Sequence, residues 1–268
     1  MVDMARINIL DSENAVSEVV DVVLILGIML IAITVISVAG FPALENMQES
    51  GHTENIRQSF IVLGENVNKV VFNDAPSQSV ELKMYGGGIW ITSSESDINV
   101  TMQTWNSTTS TPETRNFPLQ SIGEIRNEFE GRSISYQNTG VWAKYETGES
   151  IAVKDPQFVN SDKLLVIPVV KIGITPGGND GLAGEGLIRV VAEQVEQGTT
   201  IYKYQNVSAV DINVTSPYYD GWGNYLDETL GMKVDFNHTI STAYAQKNYT
   251  DENIDVYIVV SQLGASLE

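Results

Sequence analysis

Val22 to Ala39 reads VVLILGIMLIAITVISVA, 18 consecutive residues without a charge, with Thr34 and Ser37 as its polar members. As an α-helix at ~1.5 Å per residue it spans roughly 27 Å, close to the hydrocarbon thickness of a bilayer. A helix in a soluble core carries a polar stripe, and this segment has none. A secretory signal has a shorter apolar stretch, a basic leader and a small-residue cleavage site. Here the preceding residues hold Arg6 beside Asp3, Asp11 and Glu13. Arg6 is the sole basic residue before the span and none follows until Arg57, which favours an N-terminus on the inner side of the membrane.

The run Ala15-Val16-Ser17-Glu18-Val19-Val20 leads straight into the apolar segment. It resembles the class III signal of archaeal type IV pilins and archaellins, in which a short polar leader precedes A-V-S-x-V-I-G and an uninterrupted apolar helix. The resemblance implies a leader over residues 1–15, cut by a membrane prepilin peptidase between Ala15 and Val16, with the helix kept on the mature chain. It also implies a homo-oligomeric helical filament built by pilus assembly machinery, in which Glu18, Asp21, Leu24, Ile28, Ile31 and Val35 are the assembly residues. Asn14 stands where the family usually has a charge, and Asp21 where it has glycine. Glu18 and Asp21 are spaced i,i+3 and share one helix face. An unpaired carboxylate is costly in hydrocarbon, so two readings stand: solvation at headgroup level, or pairing with the Val16 amine of a neighbouring copy.

Beyond the span, Gly40-Phe41-Pro42 is a place to kink or break a helix. Phe60, Leu63, Val67 and Val70 then recur at helical spacing until the breakers Asn73-Asp74-Ala75-Pro76. Residues 16–75 therefore read as one long, interrupted N-terminal helix. From Ser79 the period becomes two, through Val80, Leu82 and Met84, and Gly86-Gly87-Gly88 reads as a turn. Residues 89–93 and 98–105 read as strands, and 107–118 as an exposed loop. A hairpin is expected over 133–145 and a buried strand over 164–174, with Pro168 at an edge or bulge. A Gly-rich loop over 175–186 precedes strands at 187–195 and 200–214. Ser216-Pro217 is expected to cap a helix near 217–230, ended by Gly231. Strands at 233–244 and 254–261 close the sheet. The fold class is α+β: a hydrophobic N-terminal helix followed by a β-rich antiparallel domain over 79–268. Ser133 to Ile174, opened by Gly131-Arg132 and containing Gly140-Val141-Trp142, is similar to an uncharacterised family of euryarchaeal pilin-like surface proteins, as is Thr215 to Tyr225. That resemblance implies a membrane-anchored or filament-forming extracellular protein.

The net charge of −19 argues against nucleic acid as a partner, which needs a basic stripe. The absence of cysteine excludes disulfides and thiolate chemistry. His52 and His238 have no sequence-local metal partner and read as surface residues. Six N-x-S/T sequons, at Asn99, Asn106, Asn206, Asn213, Asn237 and Asn248, are candidate sites for N-linked glycans on an outer domain. Asp180 and Glu185, in the loop GGNDGLAGEG, are a Ca²⁺ candidate, with an exposed turn as the simpler reading. The cluster Tyr218, Tyr219, Trp222 and Tyr225 reads as core or as a carbohydrate platform. No G-x-S-x-G or H-E-x-x-H pattern appears, and no cofactor or enzymatic activity is expected. The leading reading is a pilin-like structural subunit. The others are an anchored surface glycoprotein or minor pilin acting as an adhesin, and a tethered carbohydrate-active enzyme.

Overall fold

The computed structural model describes residues 10–72, 75–106, 109, 111–250 and 252–268, with side chains from residue 19 onward except 196 and 197. Two compact units divide between His52 and Thr53. Helix α1 (Leu10–Val35) runs into a π-helical turn, Ile36–Gly40, followed by α2 (Phe41–Phe72). The proline at 42 explains the turn. In a regular helix its ring would meet the carbonyl four residues back, on Val38. Instead the Phe41 N–H bonds to the Ile36 carbonyl, five residues away, and the widened turn lets the helix continue.

The unit boundary falls inside α2, so residues 53–72 belong with the sheet rather than before it. Their apolar positions explain this. Ile56, Phe60, Leu63, Val67 and Val71 recur every three or four residues and all are buried. Gly64 sits among them because a Cβ there would lie 2.9 Å from Val141 Cγ2.

The remaining chain forms one sheet. Its strands are β1 (Ser77–Asn106), β2 (Thr111–Phe129), β3 (Arg132–Gln137), β4 (Gly140–Tyr145), β5 (Ile151–Lys154), β6 (Val159–Ser161), β7 (Leu164–Ile174), β8 (Gly181–Thr215), β9 (Lys233–Asn237), β10 (Thr242–Asn248) and β11 (Ile254–Leu267). Helix α3 (Tyr219–Glu228) lies between β8 and β9. The order across the sheet is β5-β4-β3-β2-β1-β8-β11-β7-β6, with β9 and β10 branching from β8. β1 meets β8 in two stretches, Ser77–Trp90 on Glu193–Gly181 and Asp97–Thr104 on Thr215–Val207. Within each, partner numbers fall as β1 advances, so the local pairing is antiparallel. β11 runs parallel to β7 from Asp255 opposite Leu164 to Ala265 opposite Ile174.

Several expectations are corrected by these long strands. Gly86-Gly87-Gly88 does not turn the chain. Gly86 and Gly87 have positive φ, and the partners of Tyr85 and Gly88 are Glu185 and Ala183, so one extra residue is accommodated as a bulge inside β1. Residues 111–118 are strand, not loop, and 181–186 are already β8. The stretch expected as one strand at 233–244 is a hairpin, β9 and β10. Ser216-Pro217 forms the turn before α3: Ser216 Oγ accepts the Tyr218 N–H at 3.1 Å, and the helix starts at Tyr219. The β3–β4 hairpin, the β7 span and the Gly231 stop agree with expectation.

Two apolar cores form. One joins α2 to Leu82, Met84, Ile89, Ile91, Ile125, Tyr136, Val170, Ile172, Leu263 and Ala265. The other joins α3 to Ile98, Val100, Met102, Trp142, Leu165, Ile167, Val169, Ile212, Val256 and Ile258. Successive strand side chains point to opposite faces. Val169 and Val170 are neighbours in β7, and Trp142 stands between Val141 and Ala143 in β4, yet each pair divides between the two cores. The cores therefore lie on opposite faces of the sheet, with α2 covering one and α3 the other.

Candidate functional site

The first feature is the exposed apolar helix. Leu24, Ile28, Ile31 and Val35 are 57–66% exposed, and no apolar side chain from Val19 to Val38 is buried. Asp21 is exposed at the start of this segment. Ala15, Val16 and Glu18 lie on the α1 backbone, but their side chains fall outside the described residues, so the Val16 amine pairing does too. The helix is long and apolar enough to cross a membrane, a property that suits an anchor and a signal sequence alike.

The second feature is a buried polar cluster where the two cores meet, which the sequence reading did not single out. Gln137 ends β3, fully buried. Its Oε1 accepts from Trp222 Nε1 at 2.8 Å and Ser216 Oγ at 3.0 Å; its Nε2 donates to Ser96 Oγ at 2.8 Å and to Glu124 Oε2 at 3.3 Å. Glu124 also accepts from Ser135 Oγ at 2.9 Å and faces Arg126 Nη1 at 3.2 Å. Burial pushes the Glu124 carboxyl up to about 7, against the attraction of Arg126. Asn138 and Thr139 follow with φ of 46° and 71°, the signature of a type I′ turn. This turn is buried, and side chains satisfy it. Asn68 of α2 donates to the Thr139 carbonyl at 3.0 Å and accepts from Tyr136 OH at 2.8 Å. Asn138 donates to the Pro168 carbonyl and accepts the Val170 N–H. That exchange meets the strand where Pro168 lacks a donor. These groups pair with one another or with backbone, apart from Glu124 Oε1, which meets Arg126 without a hydrogen bond, so the cluster reads as the pin between the two cores.

Other candidates separate. Tyr218, Trp222 and Tyr225 are buried, and Trp222 packs on Trp142 with ring centroids 4.5 Å apart. The carbohydrate-platform reading of this cluster is overturned: α3 turns these rings into the core. Tyr219 reaches His238, with its OH 2.6 Å from Nδ1. Asp180 lies just before β8, where its carbonyl accepts the Ile91 N–H, and Glu185 lies within β8 opposite Tyr85. Among the described residues no three acidic or histidine side chains group as metal ligands, so the Ca²⁺ reading gains no further ligand. Asn206 and Asn248 are exposed, while Asn99, Asn106, Asn213 and Asn237 are half-buried. Asn99 and Asn213 are direct register partners on β1 and β8.

The fold and its exposed helix define a class: an N-terminal apolar helix of membrane-spanning length ahead of an antiparallel β domain. The chain belongs to the family of unknown function DUF7289, whose model matches residues 14–264. It is also similar to an uncharacterised protein of Archaeoglobus fulgidus, 28% identical over 95 residues. That match covers 35% of this chain and spans about a third, 31%, of the relative's length. No solved structure matches.

Proposed function

We propose that this protein is a structural subunit of a pilin-like extracellular filament, inserted first as a single-pass membrane precursor. The carrying observation is the band of exposed apolar side chains from Val19 to Val38. At ~25 cal/mol per Å², so much apolar surface is stable only against lipid or against like helices. Cleavage between Ala15 and Val16 would leave the helix on the mature chain, and packing of Leu24, Ile28, Ile31 and Val35 between copies would replace lipid contacts. The β domain, acidic and with exposed sequons at Asn206 and Asn248, would form the outer surface at the cell exterior. This role needs no cofactor and no catalysis by the chain itself.

The test is electron microscopy of the sheared cell-surface fraction, with mass spectrometry of this protein's N-terminus. Filaments containing a chain that begins at Val16 are the expected result. An intact leader on a chain confined to the membrane fraction, without filaments, would replace this reading with a monomeric anchored surface glycoprotein.

A further inference from the structure

Trp90 breaks the pattern of its strand in a way that creates a site. Ile89 and Ile91 are buried, so Trp90 points to the opposite face of β1. Two glycines support it there. A Cβ on Gly88 would meet the six-membered ring at 2.3 Å, and one on Gly181, the β8 partner of Trp90, would meet the indole Cδ1 at 2.8 Å. Bare backbone thus holds one face of the indole flat against the sheet. Beside it opens a cavity of about 410 Å³, within the usual range for small-ligand pockets. Its wall comes from the end of β2, the β2–β3 turn, the start of β3, the end of β4 and the residue after it, and includes Glu128, Arg132, Lys144, Tyr145 and Glu146.

The chemistry of this wall selects among ligand classes. Both cations are already engaged: Arg132 donates to Thr53 Oγ1 at 2.7 Å and Lys144 to the Pro217 carbonyl at 3.0 Å. With Glu128, Glu130 and Glu146 around the same space, an anion is disfavoured. The carboxylates do not group as metal ligands. A flat aromatic floor, a second aromatic in the 39% exposed Tyr145, and a rim of carboxylate acceptors with N–H donors suit an uncharged ring that is apolar on its face and hydroxylated at its edge.

We propose that this cavity binds a neutral pyranose saccharide, its C–H face stacked on Trp90 and its hydroxyls bonded to the glutamates and to Arg132 and Lys144. The site is independent of the filament reading and would serve an anchored monomer equally.

The test uses the full chain in lipid nanodiscs, which avoids sugar-headed detergents. Maltotriose, cellotriose, chitotriose and mannotriose are titrated to about 10 mM and followed by tryptophan fluorescence and saturation-transfer NMR, with choline as a cationic probe. The expected result is saturable binding of at least one of the four saccharides. Trp90→Ala should weaken it at least about tenfold, while Trp105→Ala, at an exposed tryptophan outside the cavity, leaves it unchanged. Because Trp90 covers backbone, Tyr145→Ala and Glu146→Gln, both at exposed positions, provide variants that keep the fold and should each weaken binding. Failure of all four saccharides to bind, binding unaffected by the three cavity variants, or binding of choline alone would overturn the proposal.

Discussion

Two apolar stretches of the N-terminal helices meet opposite fates. From Val19 to Val38 the Val, Leu, Ile and Met side chains are 53–73% exposed; in α2, Ile56, Phe60, Leu63, Val67 and Val71 are 1–5% exposed. Both stretches are helical, so propensity does not separate them. The distribution of polar residues does. Residues 53–72 interleave Glu54, Asn55, Arg57, Gln58, Glu65, Asn66 and Lys69 with their apolar positions, leaving one stripe for one sheet face to cover. Residues 22–39 are apolar all round, and a single sheet face cannot surround a helix.

The sharpest way to break this comparison is at Phe60, which is 1% exposed. Phe60→Ala should cost the β unit about 3–5 kcal/mol, read as a lower denaturant midpoint. An unmoved midpoint would mean that α2 is not part of the core. Next comes Ile28→Asp, at the centre of the exposed stretch. It should disfavour membrane insertion by about 2.5–3.5 kcal/mol and release chain from the membrane fraction on carbonate extraction. The denaturant midpoint of the β unit should stay where it was. Asn68→Ala tests the polar contact of the buried stretch: Tyr136 OH and the Thr139 carbonyl would each lose a partner, at a cost of about 1–3 kcal/mol.

The effect that builds up most gradually is a pH dependence in the pin between the cores. The folded-state pKa of Glu124 is raised to about 7, above the ordinary carboxylate value, because burial disfavours the charge. Between the two values the folded state retains a proton that the unfolded chain has lost. Stability should therefore fall as pH rises through that window and level off above it, with a slope of at most about 1.4 kcal/mol per pH unit. Glu124→Gln should flatten the slope in thermal melts recorded from pH 5 to 8, the window being that of the acidic group itself. A wild-type slope that persists unchanged in the variant would assign the titration elsewhere.

What was legible in the sequence depended on the range of the interaction. The apolar helix, the β3–β4 hairpin and the β7 span rest on local pattern, and the structure has them. Gly86-Gly87-Gly88 was misread because the local signal for a turn and for a bulge is the same: positive φ. The choice between them was made by Ala183 and Glu185, about a hundred residues away. Residues 107–118 look like a loop from composition, yet Thr111–Pro118 is strand because β1 offers it backbone partners from Asn106 to Val100. Gln137, Glu124 and Asn68 carried no local signal. They matter only because β2, β3, α2 and α3 converge on one buried turn.

The two cores share their walls. β1, β7, β8 and β11 each give one stretch to the α2 core and another to the α3 core, and Gln137 and Asn68 tie the helices on both faces to the same hairpin. Neither core can melt and leave the other standing, since the strands that would remain are the ones being lost. Though built around two cores, residues 53–268 should unfold in a single step, so a calorimetric trace of this unit would show one peak whose calorimetric and van't Hoff enthalpies agree.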